Sequence, residues 1–245
     1  MTLNANQLKL IALLAMTIDH VTSVCFPNYP TDWWIVGLHI IGRLAAPIFC
    51  FCVVEGFYHT HNLKKYIGRL FMLAIVSHFA YNFAFGIPFR PFQTSIFNQT
   101  SIVWALAFGL VALLVERNEK LQQWQKTFLI LGITVVTFAA DWSSIAVLTI
   151  INIGANRGNF ARQMSGMMLW VAVYAAVYAV FINPVYGFIQ LFVALAIPLL
   201  KRYNGKRGNC PGMKWLFYVY YPLHLLICGL IRILLHGNIS VMIGG

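Results

Sequence analysis

The chain has 245 residues, of which 60% are hydrophobic and 9% charged, with a mean hydropathy of +0.75. Soluble domains carry about 25% charged residues, so this composition excludes a soluble fold. The formal net charge of +11 would point to nucleic acid in a soluble protein, yet the basic residues gather in short connections between apolar runs, and no nucleic-acid partner is expected.

Apolar runs and the turn residues between them predict an all-α, polytopic integral membrane helical bundle with about nine transmembrane helices. It forms one domain over residues 1–245, because no polar stretch is long enough to house a second. The first span, residues 8–26, holds Asp19 and His20, two groups that are costly in hydrocarbon unless they face partners or water. The second, residues 33–57, contains Arg43, Glu55 and a Pro47 expected to kink it. The third, residues 66–87, carries Arg69 near its start and His78 in its interior. Spans follow at 101–115, 127–140, 144–153, 165–182 and 186–200; the 144–153 run is short for a crossing and is expected to be tilted, broken or re-entrant. The last, residues 215–236, contains Tyr221, Pro222, His224 and Arg232.

Alternate connections are basic: Lys64, Lys65 and Arg69; Arg117, Lys120 and Lys126; Arg157 and Arg162; Lys201, Arg202, Lys206, Arg207 and Lys214. The intervening connections lack Lys and Arg apart from Arg90, and Arg232 is a second exception. Positive-inside reasoning therefore predicts a cytoplasmic N-terminus. Helical rise places His20 about 18 Å, Arg43 about 15 Å, His78 about 18 Å and His224 about 14 Å into their spans, all near mid-depth. Lys9 and Glu55 fall near the inner surface, where a pair between them is expected.

His20 reads either as a general base or as a buried neutral imidazole. Asp19 points about 100° away from it around the helix, so pairing with Arg43 is the alternative to a catalytic role. Arg43 must meet a carboxylate, carbonyls or an anionic ligand. His78 reads as an interhelical hydrogen bond, and Pro222 with His224 as a second cavity wall. His39, His59, His61 and His236 lie near span ends, where solvation accounts for them. Five cysteines without metal spacing, and no HExxH motif, indicate neither a disulfide framework nor a catalytic metal. Walker, dinucleotide-glycine and nucleophile-elbow motifs are also lacking.

The run from Lys9 to Asp19-His20, then Gly42-Arg43-Leu44-Ala45-Ala46-Pro47-Ile48-Phe49, Val54-Glu55-Gly56-Phe57 and Tyr220-Tyr221-Pro222-Leu223-His224-Leu225, resembles the TraX family of conjugal-transfer membrane proteins. That resemblance implies a multi-pass inner-membrane N-acetyltransferase acting on a pilin amino terminus, or on another membrane-located acceptor, with acetyl-CoA as the donor. The opening span is also similar to that of membrane-bound acyltransferases, in which a basic residue precedes a histidine by eleven positions, as Lys9 precedes His20. On these matches His20, with Asp19, is the implied catalytic residue; Lys9, Arg43, Glu55 and Arg69 are candidates for donor binding, and His78, Tyr221 and His224 for substrate contact or support. CoA is polyanionic, so the basic connections offer it a landing surface, with the acyl arm expected to thread from there to His20. O-acyl transfer, a proton-coupled transporter and a noncatalytic membrane assembly factor stay open as alternatives.

Overall fold

A computed structural model describes residues 2–88, 96–210 and 212–241, the side chain of Lys214 excepted; Arg90, Pro91 and the Lys214 side chain thus lie outside the described residues. The elements are helical: α1 Ala5–Cys25, α2 Trp33–Gly42, α3 Ala45–His59, α4 Leu63–Phe85, α5 Ile102–Glu116, α6 Gln123–Thr137, α7 Ser143–Ala155, α8 Phe160–Phe181, α9 Pro184–Gln190, α10 Ile197–Lys201 and α11 Met213–His236. A 3₁₀ stretch, Leu191–Ala196, joins α9 to α10. Every predicted apolar run falls on helix. Among the described residues six runs are long and apolar enough to cross a membrane, while Ile102–Glu116 and Ser143–Ala155 are apolar but shorter.

Local chemistry sets the helix ends. Asn4 caps α1 reciprocally with Gln7: each side chain bonds the other's backbone N–H at 3.0 Å. Asn62, Asn159 and Asn183 cap α4, α8 and α9 with side chains that accept from backbone N–H groups of the first turn, the last with Pro184 at the first helical position. The chain leaves α4 through Gly86 at φ 67°, a conformation open to a residue without a Cβ.

The 33–59 run is broken, as Pro47 predicts. The interruption lies four residues earlier, at Arg43-Leu44 between α2 and α3. Proline lacks the N–H that would bond the Arg43 carbonyl, and its ring crowds that carbonyl, so the helix opens at the acceptor. The short run predicted at 144–153 is an unbroken helix, α7, packed against α5, α8, α3 and α6.

Connections gather at two ends. At one end, residue 3 bonds the 202–204 loop, Tyr58 bonds Gly154, and Arg157 reaches Glu55, bringing the basic connections together. At the other, Asp141 N–H bonds Thr100 O, Tyr186 bonds Pro30, and Val241 N–H bonds Phe85 O. Arg232, the exception in the charge pattern, is 2% exposed and donates to the carbonyls of Phe83, Ala84 and Ile239 at 3.2, 3.2 and 2.6 Å. It neutralises the orphan, negatively polarised end of α4 and so serves packing rather than topology. His236 likewise bonds Val24 O at 3.0 Å rather than solvent. Arg232→Ala should leave those carbonyls unpaired and cost about 1–3 kcal/mol. A thermal melt in detergent that matches the parent protein would refute this role.

Candidate functional site

Two polar clusters meet around α1. In the first, His20 Nδ1 lies 2.9 Å from His224 Nε2, and the rings stack at 5.2 Å with 8° between their planes. His224 Nδ1 in turn lies 3.1 Å from the Tyr220 carbonyl. A carbonyl only accepts, so His224 carries its proton on Nδ1, and its bare Nε2 accepts from His20 Nδ1–H. The His20 Nε2 lone pair is thereby left as the basic atom of the pair. Tyr220 stacks on His224, Tyr221 and Phe85 meet the two rings edge-on, and Tyr220 OH is held 2.8 Å from Thr17 Oγ1. Both imidazoles are 4–5% exposed.

In the second cluster, Asp19 Oδ2 accepts from Arg43 Nη2 at 2.6 Å and its Oδ1 from His39 Nδ1 at 2.8 Å. Arg43 further donates to Gln190 Oε1 at 3.0 Å and to the His39 carbonyl at 3.3 Å. The close approach of α2 to α1 depends on Gly42, since a Cβ there would fall on the Asp19 side chain. Gln190 comes from the last residue of α9, where regular helix gives way to the 3₁₀ stretch.

A cavity of about 60 Å³ joins the clusters, lined by Met16, Asp19, His20, His39 and Arg43 and, toward its mouth, by Asn28, Tyr29, Asp141, Trp142, Tyr174, Tyr178 and Tyr186. Both turns at the mouth hold positive φ without glycine: Asn28 at 69°, Tyr29 at 55°, Trp142 at 64° and Ser143 at 48°. For a Trp this is a costly conformation, of a kind that concentrates where geometry serves function. Burial pushes the Asp141 carboxyl up to about 6, against the opposing pull of Arg43.

The TraX protein family matches residues 4–232, which include both clusters and the cavity. The chain belongs to the TraX family. It is also 28% identical over 235 residues to the probable fimbrial assembly protein FimC, serogroup H1, of Dichelobacter nodosus, covering 92% of this chain and 94% of that protein. An uncharacterized protein of Rickettsia prowazekii is 23% identical over 195 residues, covering 78% and 66% respectively. No solved structure matches.

With the TraX fold in view, the residues singled out by sequence separate into groups. His20, Asp19, Arg43 and His224 converge; Tyr221 stands behind His224, fully buried. His78 does not join them: it is partly exposed and its hydrogen-bond partner is Asn82, one turn on along its own helix, at 3.5 Å. Lys9, Glu55 and Arg69 lie at the basic end, and Glu55 does not pair with Lys9. Its carboxylate meets Arg157 at 3.5 Å and His59 at 3.6 Å, while Arg157 and Arg117 both sit over the Tyr58 ring. Arg69 keeps a buried Nε without a hydrogen-bond partner.

Sequence reasoning passed over His39, Gln190, Asp141 and the four mouth tyrosines. For His39 a signal existed, because it precedes Arg43 by four residues and so shares its helix face. Away from the basic connections the cavity at His20 is lined by the 28–29 and 141–142 turns; Met16 and Phe49 also line it, with Phe49 packed against Phe217 at 5.2 Å.

Proposed function

We propose that this TraX-family protein is a membrane-embedded acetyltransferase of fimbrial or pilus assembly, moving an acetyl group from acetyl-CoA to an acceptor amine such as a pilin amino terminus. In this reading it crosses the inner membrane nine times from a cytoplasmic N-terminus, and lipid surrounds its apolar faces. The likeness to a fimbrial assembly protein supports the process. The observation that carries the chemistry is the carbonyl–His224–His20 chain, which leaves a bare Nε2 at a cavity wall.

A base in that position does what the reaction requires. It takes the proton from the acceptor nitrogen as that nitrogen attacks the thioester carbonyl; the C–S bond breaks, and the proton passes to the departing thiolate, leaving amide and free thiol. No ATP or metal is needed for this balance. Arg43, already held by Asp19, fixes the geometry beside the base rather than binding the donor. Donor phosphates belong at the basic end, where Lys9, Arg69 and the 201–207 connection supply charge. Donor and acceptor then approach from opposite ends, and the Met16–Phe49–Phe217 seam must part for the acyl arm to reach His20.

Purified protein in lipid nanodiscs, incubated with radiolabelled acetyl-CoA and a peptide with a free amino terminus, should label the peptide at its amine. The fimbrial relative's description also fits a noncatalytic assembly factor, which would retain the peptide but transfer no label.

A further inference from the structure

The mouth of the cavity carries a charge that the acyl-transfer chemistry does not use. Asp141 sits in the turn between α6 and α7, and among the described residues no salt bridge reaches it. The other charges lining this space, Asp19 and Arg43, compensate one another at 2.6 Å. His39 contacts the same carboxylate, its Nδ1 2.8 Å from Asp19 Oδ1. The lining therefore holds two carboxylates against one guanidinium, an excess of negative charge in a partly desolvated space.

Aromatic rings line the same space. Trp142 and Tyr174 lie 6.0 Å apart at 42°, and Tyr174 and Tyr178 lie 5.5 Å apart at 64°, so the rings form inclined walls rather than a flat stack. Each ring face is the negative pole of a quadrupole. Trp142 is held in place by its left-handed backbone, which an unconstrained turn would not adopt.

We infer that this mouth is a cation-docking subsite, with Asp141 as counter-charge and Trp142, Tyr174 and Tyr178 as walls, which receives the ammonium form of the acceptor amine. The inference rests on the proposed acyl transfer for the identity of the occupant and adds to it the residues that select it. Charge decides between candidate occupants: two carboxylates against one guanidinium attract an ammonium group and repel a polyanionic nucleotide-bearing donor. Docked there, the ammonium group lies in the same cavity as His20; it releases one proton to water at the mouth, and the neutral amine then gives its second to His20 as it attacks.

Isothermal titration on the full chain in nanodiscs tests this without any need for turnover. The probe is Phe-Gly-Gly-amide, compared with its N-acetylated form at neutral pH. The free amine should bind at least about tenfold tighter, in line with one ion pair and cation–π contacts. Asp141→Asn should erase that preference and leave affinity for the acetylated peptide unchanged. Equal affinities in the parent protein, a comparison that needs no variant to fold, overturn the subsite; so does a preference that survives in Asp141→Asn. Binding with the expected preference but no transfer sinks the enzyme reading alone, whereas transfer undiminished in Asp141→Asn at sub-saturating peptide sinks the subsite alone.

Discussion

Replacing His20 with alanine should lower acetyl transfer by about 10²- to 10⁴-fold, the loss that follows removal of a positioned general base. The tautomer chain makes the expectation more specific than a simple knockout. His224 orients His20 by accepting its Nδ1–H at 2.9 Å, and is itself oriented by the Tyr220 carbonyl. His224→Ala should therefore cause a smaller fall in rate, because His20 keeps its basic nitrogen but loses the lock that presents it. His224→Gln should recover part of that loss, since an amide oxygen also accepts from Nδ1–H. The readout is initial rate of label transfer at saturating acetyl-CoA, with a thermal melt alongside to establish that each variant is folded. Unchanged turnover in well-folded His20→Ala removes the imidazole from the mechanism. Equal losses in His224→Ala and His224→Gln would discard the tautomer argument while leaving His20 in place.

Asp19→Asn should destabilise the protein by about 3–5 kcal/mol, because it strands the Arg43 guanidinium in the interior without its anion. For a chain of this size each kcal/mol corresponds to about 2–4 °C in melting temperature, so the fall should reach about 10 °C. Arg43→Met should cost less, because Asp19 keeps a second hydrogen-bond partner, His39 Nδ1, at 2.8 Å. Combining the two substitutions should restore most of the stability lost in Asp19→Asn, since neither charge then remains uncompensated. Thermal melts of the three variants in one detergent measure the coupling directly. Strict additivity would mean that the 2.6 Å contact contributes nothing as a pair.

The two predictions separate roles that adjacency in the chain had merged. Asp19 and His20 are neighbours in sequence, yet the helix turns them onto different faces. Asp19 faces α2 and makes an ion pair that holds Arg43 and His39. His20 faces α11 and makes the imidazole pair. Proximity in sequence thus placed two independent devices on one helix.

Much of the architecture was legible from residues alone. Apolar runs located every helical stretch, because hydrocarbon-length hydrophobicity is a one-dimensional signal. The cost of burying charge singled out Asp19, His20, Arg43 and His224, and the structure brings all four together. What periodicity could not carry was the rotation of each helix about its axis. That rotation turns His78 away from the site and toward Asn82, and gives Glu55 to Arg157 instead of Lys9. It also turns His39, which end-of-span solvation would have explained, into a ligand of Asp19.

Composition and the pattern of apolar and basic residues by themselves determined an all-helical membrane protein with a buried histidine on its first helix. Where that histidine opens to water was decided only by tertiary structure: the mouth is assembled from turns far apart in sequence, 28–29 and 141–142, together with tyrosines from α8 and α9. A turn's backbone angles and the meeting of separate loops arise from long-range packing, which leaves no local periodic trace in the chain.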